Sequence, residues 1–432
     1  MKKKILTVVL AMTMVAGTLA GCGSREVEDF ATKEGQPYEE SVEVPDISEP
    51  VDVNGDGTDW ESFQEDIEAR EDHNYKHIMN MIDSLYASNK KNTILSETSL
   101  DMALGMVMQG ASDNAATEFN TYYNMTAKDK LNRDHSLIGL YNSRDDVTLK
   151  IANSMYVNEG VDINDEFKSN VIDGYYASVD NMDFTDAGSA DVINKWCSDN
   201  TNGMIDQITT PDALRGLDAA ILNALYFNGK WEDKFEDYQL KDTDFTNVGN
   251  GVSTITGMYE SGLDTYYETE TATGFAKYYK GGEIAFIGIL PDEGILDKNE
   301  DFLMSDIDLA EFLESETYDY YVNIMMPKFK VEDSNSLTEV IESEGLVSMF
   351  ETGNLDGINS DMRVSSVIQK TVVDVTEEGT EAAAVTMIGM ELTCANPMEV
   401  QVVDVILDRP FAFMIYDTVN DEILFIGKIV EL

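Results

Sequence analysis

The amino-acid sequence predicts an α+β domain with large, largely antiparallel sheets, and three observations predict it. Apolar residues recur at three- and four-residue spacings from about Asp66, where Ile67, Tyr75, Ile78, Met79, Ile82, Leu85 and Tyr86 mark one helical face. Short β-like runs bounded by Gly, Asn and Asp turns crowd the second half. Neither an internal repeat nor a break in composition divides residues 66–432, so one domain is the simplest division.

The chain begins well before that domain. Lys2, Lys3 and Lys4 precede an apolar run from Ile5 to Ala20, too short and too rich in small residues for a membrane span, which reads as a signal peptide over 1–21. The run ends Leu19-Ala20-Gly21-Cys22, which resembles a bacterial lipobox, where the cysteine thiol receives a diacylglycerol. Acyl chains contribute roughly 0.8 kcal/mol per buried methylene, so a lipidated Cys22 implies an extracellular protein anchored to the cell membrane. From Gly23 to Asp66, fifteen Asp or Glu face two basic residues, with Pro37, Pro45 and Pro50 and little periodicity. A flexible acidic tether over 22–65 is expected, because such a stretch buries too little to fold. Within it, Asp52-Val53-Asn54-Gly55-Asp56-Gly57 has the opening of a calcium loop, but Phe63 stands at the twelfth position where a carboxylate is needed.

In the body, a second helix follows from Ser99, with Leu100, Ala103, Leu104, Val107 and Met108 on its apolar side. Strands are expected at Ile284 to Leu290, Tyr320 to Met326 and Val400 to Leu407. Cys197 and Cys394 sit far apart; the first reads as a small buried hydrophobe and the second as exposed, and no disulfide or zinc pattern links them. The formal charge of -53 repels phosphate backbones and anionic headgroups, which excludes nucleic-acid binding and electrostatic membrane binding. Only three histidines exist, and His73 and His77, one turn apart, have no flanking cluster of ligands. With no GxSxG elbow, no GxGxxG or P-loop and no HExxH, the sequence offers no enzyme, metal or cofactor site.

One segment is unlike the rest. Glu377-Glu378-Gly379-Thr380-Glu381-Ala382-Ala383-Ala384-Val385-Thr386 is glycine and small residues inside a β-rich region. Read with period two, Thr380, Ala382, Ala384 and Thr386 share one side, and all are small enough to slide between existing strands. Gly379 sits where a hinge would need unusual backbone angles. These are the features of a segment exposed first and inserted later.

Glu377, Glu378, Gly379, Thr380, Glu381, Ala382, Ala383 and Ala384 resemble the proximal hinge of inhibitory serpins almost position for position. The resemblance continues over most of residues 66–432 and in the family's order. It runs through Asn153-Ser154-Met155-Tyr156-Val157, Ile193-Asn194-Lys195-Trp196, Thr201-Asn202-Gly203-Met204-Ile205 and Asn223-Ala224-Leu225-Tyr226-Phe227-Asn228-Gly229-Lys230-Trp231. Pro327-Lys328-Phe329, Arg409-Pro410-Phe411 and Phe425-Ile426-Gly427-Lys428-Ile429 complete it. It implies the serpin fold, with early helices packed on large mixed sheets and an exposed reactive-centre loop over about 377–403. Trp231 should lie at the top of the main sheet, and Ser96, Ser99 and Asn223 should hydrogen-bond near its middle. Glu97 replaces a proline common in the family, and Gln369 a usual histidine.

The resemblance further implies a monomeric suicide inhibitor of serine proteases, whose partner is a target protease held covalently. The protease attacks the loop, forms an acyl-enzyme and is carried along as the cut loop inserts as a strand. Fourteen inserted residues would move it about 46 Å at 3.3 Å per residue. Counting fourteen beyond Gly379 places the bait at Thr393 with the cut before Cys394; Leu392 and Met390 are alternatives. Measured back from Arg409-Pro410-Phe411, the bait falls nearer Met398 or Glu399. Neutral residues here point to elastase-like or subtilisin-like targets. A non-inhibitory serpin acting as a cell-surface binding protein, and an inhibitor of cysteine proteases, remain as alternatives.

Overall fold

The computed structural model describes residues 60–263, 265–365, 367–380 and 401–432. The chain divides into two compact units, Met1–Glu68 and Ala69–Leu432. Of the first, only the opening of a helix falls among the described residues; all three sheets belong to the second. Cys22, the signal peptide, the calcium-like loop and Cys394 lie outside the described residues.

Helices come first. Helix α1 (Trp60–Asn89) starts six residues ahead of the Asp66 that periodicity marks. Its Ile78, Met79, Ile82, Leu85 and Tyr86 are buried at the predicted three- and four-residue intervals. Strand β1 (Thr93–Leu95) leads into helix α2 (Glu97–Met108), then α3 (Asp113–Tyr123) and α4 (Ala127–Asn142). Thr126 caps α4 by accepting from the Asp129 amide at 3.2 Å, which gives one of the first-turn donors a partner. After β2 (Thr148–Asn158) come α5 (Asp165–Ser169), β3 (Ser178–Met182) and α6 (Gly188–Asn200). Helix α6 buries Ala190, Ile193 and Cys197 on one face.

Strands dominate from there. They are β4 (Ala219–Lys230), β5 (Leu240–Thr246), β6 (Val252–Leu263), β7 (Tyr266–Glu268), β8 (Ala272–Tyr278) and β9 (Ile284–Pro291). Then follow β10 (Tyr320–Pro327), β11 (Phe329–Ser336), β12 (Ile368–Thr376), β13 (Gly379–Thr380), β14 (Gln401–Ile406), β15 (Phe411–Asp417) and β16 (Glu422–Ile429). Three sheets result, in the orders β1-β16-β15-β9-β8-β7, β14-β10-β6-β5 and β11-β12-β13-β4-β2-β3. All pairs are antiparallel except β10 with β14 and β2 with β3. Every residue of β15 and β16 is buried, so both faces of these strands are covered. Phe413 stacks on Phe286 of β9 at 5.4 Å, at the centre of the core.

Candidate functional site: an incomplete sheet

The third sheet is finished on its flanks and unfinished in its centre. On its outer side β12 pairs along its length with β11, from Phe329↔Val375 to Ser336↔Ile368. On its inner side it pairs only with the two residues of β13, Val375↔Thr380 and Thr376↔Gly379. Strand β4 is matched by β2 from Thr148↔Asn228 to Val157↔Ala219, and on its inner side it too meets only β13, through Gly379↔Lys230 and Thr380↔Gly229. Past Thr380, no pairing joins β12 to β4 among the described residues. The gap holds a cavity of about 210 Å³, lined by Asn223 and Leu225 of β4, Val372 of β12, Leu100 and Leu104 of α2, and Cys197 of α6.

Because β13 is antiparallel to both neighbours, β12 and β4 run parallel to each other. A chain continuing from Thr380 therefore finds an antiparallel ladder on both sides. The walls beyond Thr380 are Asn228 to Ala219 of β4 and Asp374 to Ile368 of β12.

The entrance is held by several independent contacts. Trp231, fully buried at the end of β4, donates from its indole to the Thr376 carbonyl at 2.9 Å. Its backbone amide donates to the Glu378 carbonyl at 3.1 Å, and the Phe235 amide donates to the Glu377 carbonyl at 3.0 Å. The Trp231 ring stacks on Tyr279 at 4.4 Å, and the Tyr279 hydroxyl meets the Thr380 hydroxyl at 2.7 Å. Burial pushes the Tyr279 phenol up, so it stays protonated and able to donate. Lys328 Nζ holds Glu377 at 2.5 Å, and Lys234 Nζ reaches Glu378 at 3.4 Å. The Lys328 hydrogen bond draws the Glu377 carboxyl below the usual glutamate range.

Gly379 is required by this geometry. Its φ is +149°, and a Cβ there would lie 2.1 Å from the Gly229 carbonyl oxygen. Thr380, the first residue of the expected small-residue face, is buried. Glu381, Ala382, Ala383, Ala384 and Thr386 lie outside the described residues, as do Met390, Leu392, Thr393 and Cys394.

At the middle of the sheet the expected residues gather, with a different pairing. Ser96, Ser99, Asn223 and Gln369 all line the cavity. The Gln369 amide forms two bonds to the Ser96 backbone: Oε1 accepts from the Ser96 amide at 2.8 Å and Nε2 donates to its carbonyl at 2.8 Å. The Ser96 hydroxyl donates to the Leu424 carbonyl at 2.9 Å. Asn223 donates to Asn153 Oδ1 at 2.7 Å, and its own Oδ1 is buried without a hydrogen-bond partner among the described residues.

Tyr279, Lys328, Lys234 and Gly229 also contribute to this site and were not singled out as site residues. Lys328 and Gly229 sit inside runs that drew attention as family motifs. Tyr279 carries no local signal, since its function depends on a strand that pairs a hundred residues later.

The family model described as "Serpin (serine protease inhibitor)" matches residues 72–432, and the chain belongs to the serpin family. An uncharacterized serpin-like protein of Methanosarcina mazei is 30% identical over 351 residues, covering 78% of this chain and 81% of that protein. Human neuroserpin is 29% identical over 377 residues, covering 82% and 89%. The thermophilic serpin tengpin in its native state superposes with a TM-score of 0.74 at 26% identity, over 87% of this chain and 95% of that one. Membership supports protease inhibition, rather than catalysis, as the general function.

Proposed function

We propose that the protein is a suicide inhibitor of serine proteases that traps its target by inserting the cleaved loop as a new central strand. One observation carries this reading: the central gap between β12 and β4, begun by Gly379 and Thr380 and without further pairing among the described residues. The protease's serine oxygen attacks the carbonyl carbon of the bait residue, the peptide C–N bond breaks, and the new amine leaves with the proton. The bait remains esterified to the protease. Residues beyond Thr380 then enter the gap in the register set by β13, forming antiparallel bonds to both neighbours and drawing the protease with them. Ten residues at roughly 0.5–1.5 kcal/mol per hydrogen bond make insertion favourable by on the order of ten kcal/mol, enough to distort a catalytic site.

Thr393–Cys394 is the scissile bond in this reading, with neutral flanks suited to elastase-like or subtilisin-like enzymes. The chain acts outside a bacterial cell, held through a lipid on Cys22 and the acidic tether over 22–65. Mixing the purified protein with elastase, subtilisin, trypsin and a papain-type enzyme tests the whole proposal. A complex with elastase or subtilisin that survives boiling in detergent is expected, with the loop cut after Thr393. Loop cleavage without such a complex overturns the inhibitor reading in favour of a binding protein. A stable complex with the papain-type enzyme alone overturns the serine-protease assignment.

A further inference from the structure

Helix α2 stands between two very different surroundings. One side, through Ser96, Leu100 and Leu104, lines the cavity, and Ser96 is held by Gln369 of β12. Asp101, one turn beyond the half-buried Glu97, belongs instead to a buried set of charges. From α4, Lys130 Nζ bonds Asp101 at 2.8 Å and Asp134 at 2.5 Å, and Lys130 and Asp134 are both fully buried. Arg133 reaches Asp101 at 3.2 Å, Asp134 at 3.4 Å and Glu422 of β16. The Tyr175 hydroxyl donates to Asp134 at 2.8 Å. Tyr122 and Tyr123 of α3 face Glu97 and Asp101, while Tyr141 of α4 and Asp417 of β15 stand beside Glu422.

Four carboxylates, Glu97, Asp101, Asp134 and Glu422, thus share two cations, Lys130 and Arg133. If all six were ionised, two negative charges would stand uncompensated where water is excluded, and holding protons on two carboxyls removes that cost. Three of the four carboxyls are raised and one is held low: burial lifts Asp134 against the pull of Lys130. Burial, then Asp101 and Glu422, push Glu97 well above the glutamate range; burial raises Glu422 to about 7, against the pull of Arg133. Burial would raise Asp101 too, but Lys130 and Arg133 outweigh it and hold its carboxyl low.

We propose that Glu97, Asp101, Lys130, Arg133, Asp134 and Glu422 form a proton-dependent anchor that holds helix α2 against α4 and β16, and so sets how easily the gap between β12 and β4 widens. With Glu97 and Glu422 protonated the set is neutral and the helix is held; loss of the Glu422 proton leaves one uncompensated charge, which loosens the helix and the Ser96–Gln369 bonds behind it. The direction follows from linkage. A carboxyl that binds its proton more tightly when folded gives a stabilisation that is fully present below its unfolded value and is lost as pH rises from there through its folded value. The gap therefore opens more readily on the alkaline side of neutrality.

Hydrogen exchange on the intact chain tests this. Amides of Ile368–Thr376 are compared with those of the fully paired β9, which corrects for the intrinsic pH dependence of exchange. From pH 5.5 to 8.5 the β12-to-β9 ratio should rise about fivefold in the natural protein and stay flat in the Glu97→Gln/Glu422→Gln double variant. An equal rise in both overturns the proposal, and an equal thermal midpoint at pH 5.5 shows that the variant is folded. If the variant does not fold, infrared spectroscopy of the unaltered protein decides. A protonated-carboxyl stretch present at pH 6 and diminished at pH 8.5 supports the anchor; its absence at pH 6 overturns it.

Discussion

The sheet built around β15 and β16 and the sheet interrupted between β12 and β4 answer the same physical demand in opposite ways. In the first, each central strand has a partner on both sides and both faces are covered, so Phe411 to Asp417 are buried without exception. In the second, two central strands have one side of their ladders unpaired over most of their length among the described residues. Side-chain packing holds the first; the second is held at its entrance by Trp231, Tyr279, Lys328 and Lys234, and at its middle by Gln369. The difference teaches that pairing and packing in this molecule are concentrated away from the incomplete sheet.

Substitutions can break that contrast in graded steps. The largest effect is expected from Phe413→Ala, which leaves a cavity beside Phe286 in the paired sheet and should cost about 3–5 kcal/mol in denaturant unfolding. Gly379→Ala should cost about 1–3 kcal/mol at the hinge, because the new Cβ meets the Gly229 carbonyl in a backbone conformation that alanine resists. Its thermal midpoint, set beside Ala412→Gly in β15, distinguishes strain at the hinge from general sensitivity. Tyr279→Phe removes only the hydroxyl contact to Thr380 and should cost about 0.5–1.5 kcal/mol, with faster exchange of the Thr380 amide as its signature.

Lys328→Ala should have the smallest effect, under about 1 kcal/mol, because this pair is partly exposed to solvent. Its signature is in pH. The folded Glu377 carboxyl titrates below its unfolded value, so its contribution is present above the ordinary glutamate range and is lost as pH falls through the folded value. The difference in thermal midpoint between the natural protein and Lys328→Ala should therefore shrink between pH 7 and pH 3.5. A constant difference would show that the lysine acts by packing alone.

What could be read from the sequence follows the range of the forces involved. The faces of α1 and α2 were legible because apolar spacing repeats within a few residues, and Ile284, Tyr320 and Gln401 begin strands where turn residues set them off. The unusual backbone at Gly379 was legible because a glycine there stands out from its neighbours. The start of α1 at Trp60 was missed, since Trp60 to Asp66 lack the spacing that marks the rest of the helix. Tyr279 and the bonds from Gln369 to Ser96 were not legible, because each joins segments far apart in the chain. Glu97 stood out as an unusual residue, but nothing local reveals the buried company it keeps with Lys130, Arg133 and Glu422.

The parallel course of β12 and β4 gives the gap a sense of direction. Backbone donors and acceptors on its two walls form matching combs, and a segment entering one way meets antiparallel partners on both walls, while one entering the other way meets parallel partners on both. The tight connection through Glu377 and Glu378 reverses the chain at the mouth, so Gly379 and Thr380 enter it in the antiparallel sense. The opening therefore works as a polarity filter: it is keyed to the heading of a strand before any side chain is tested for fit.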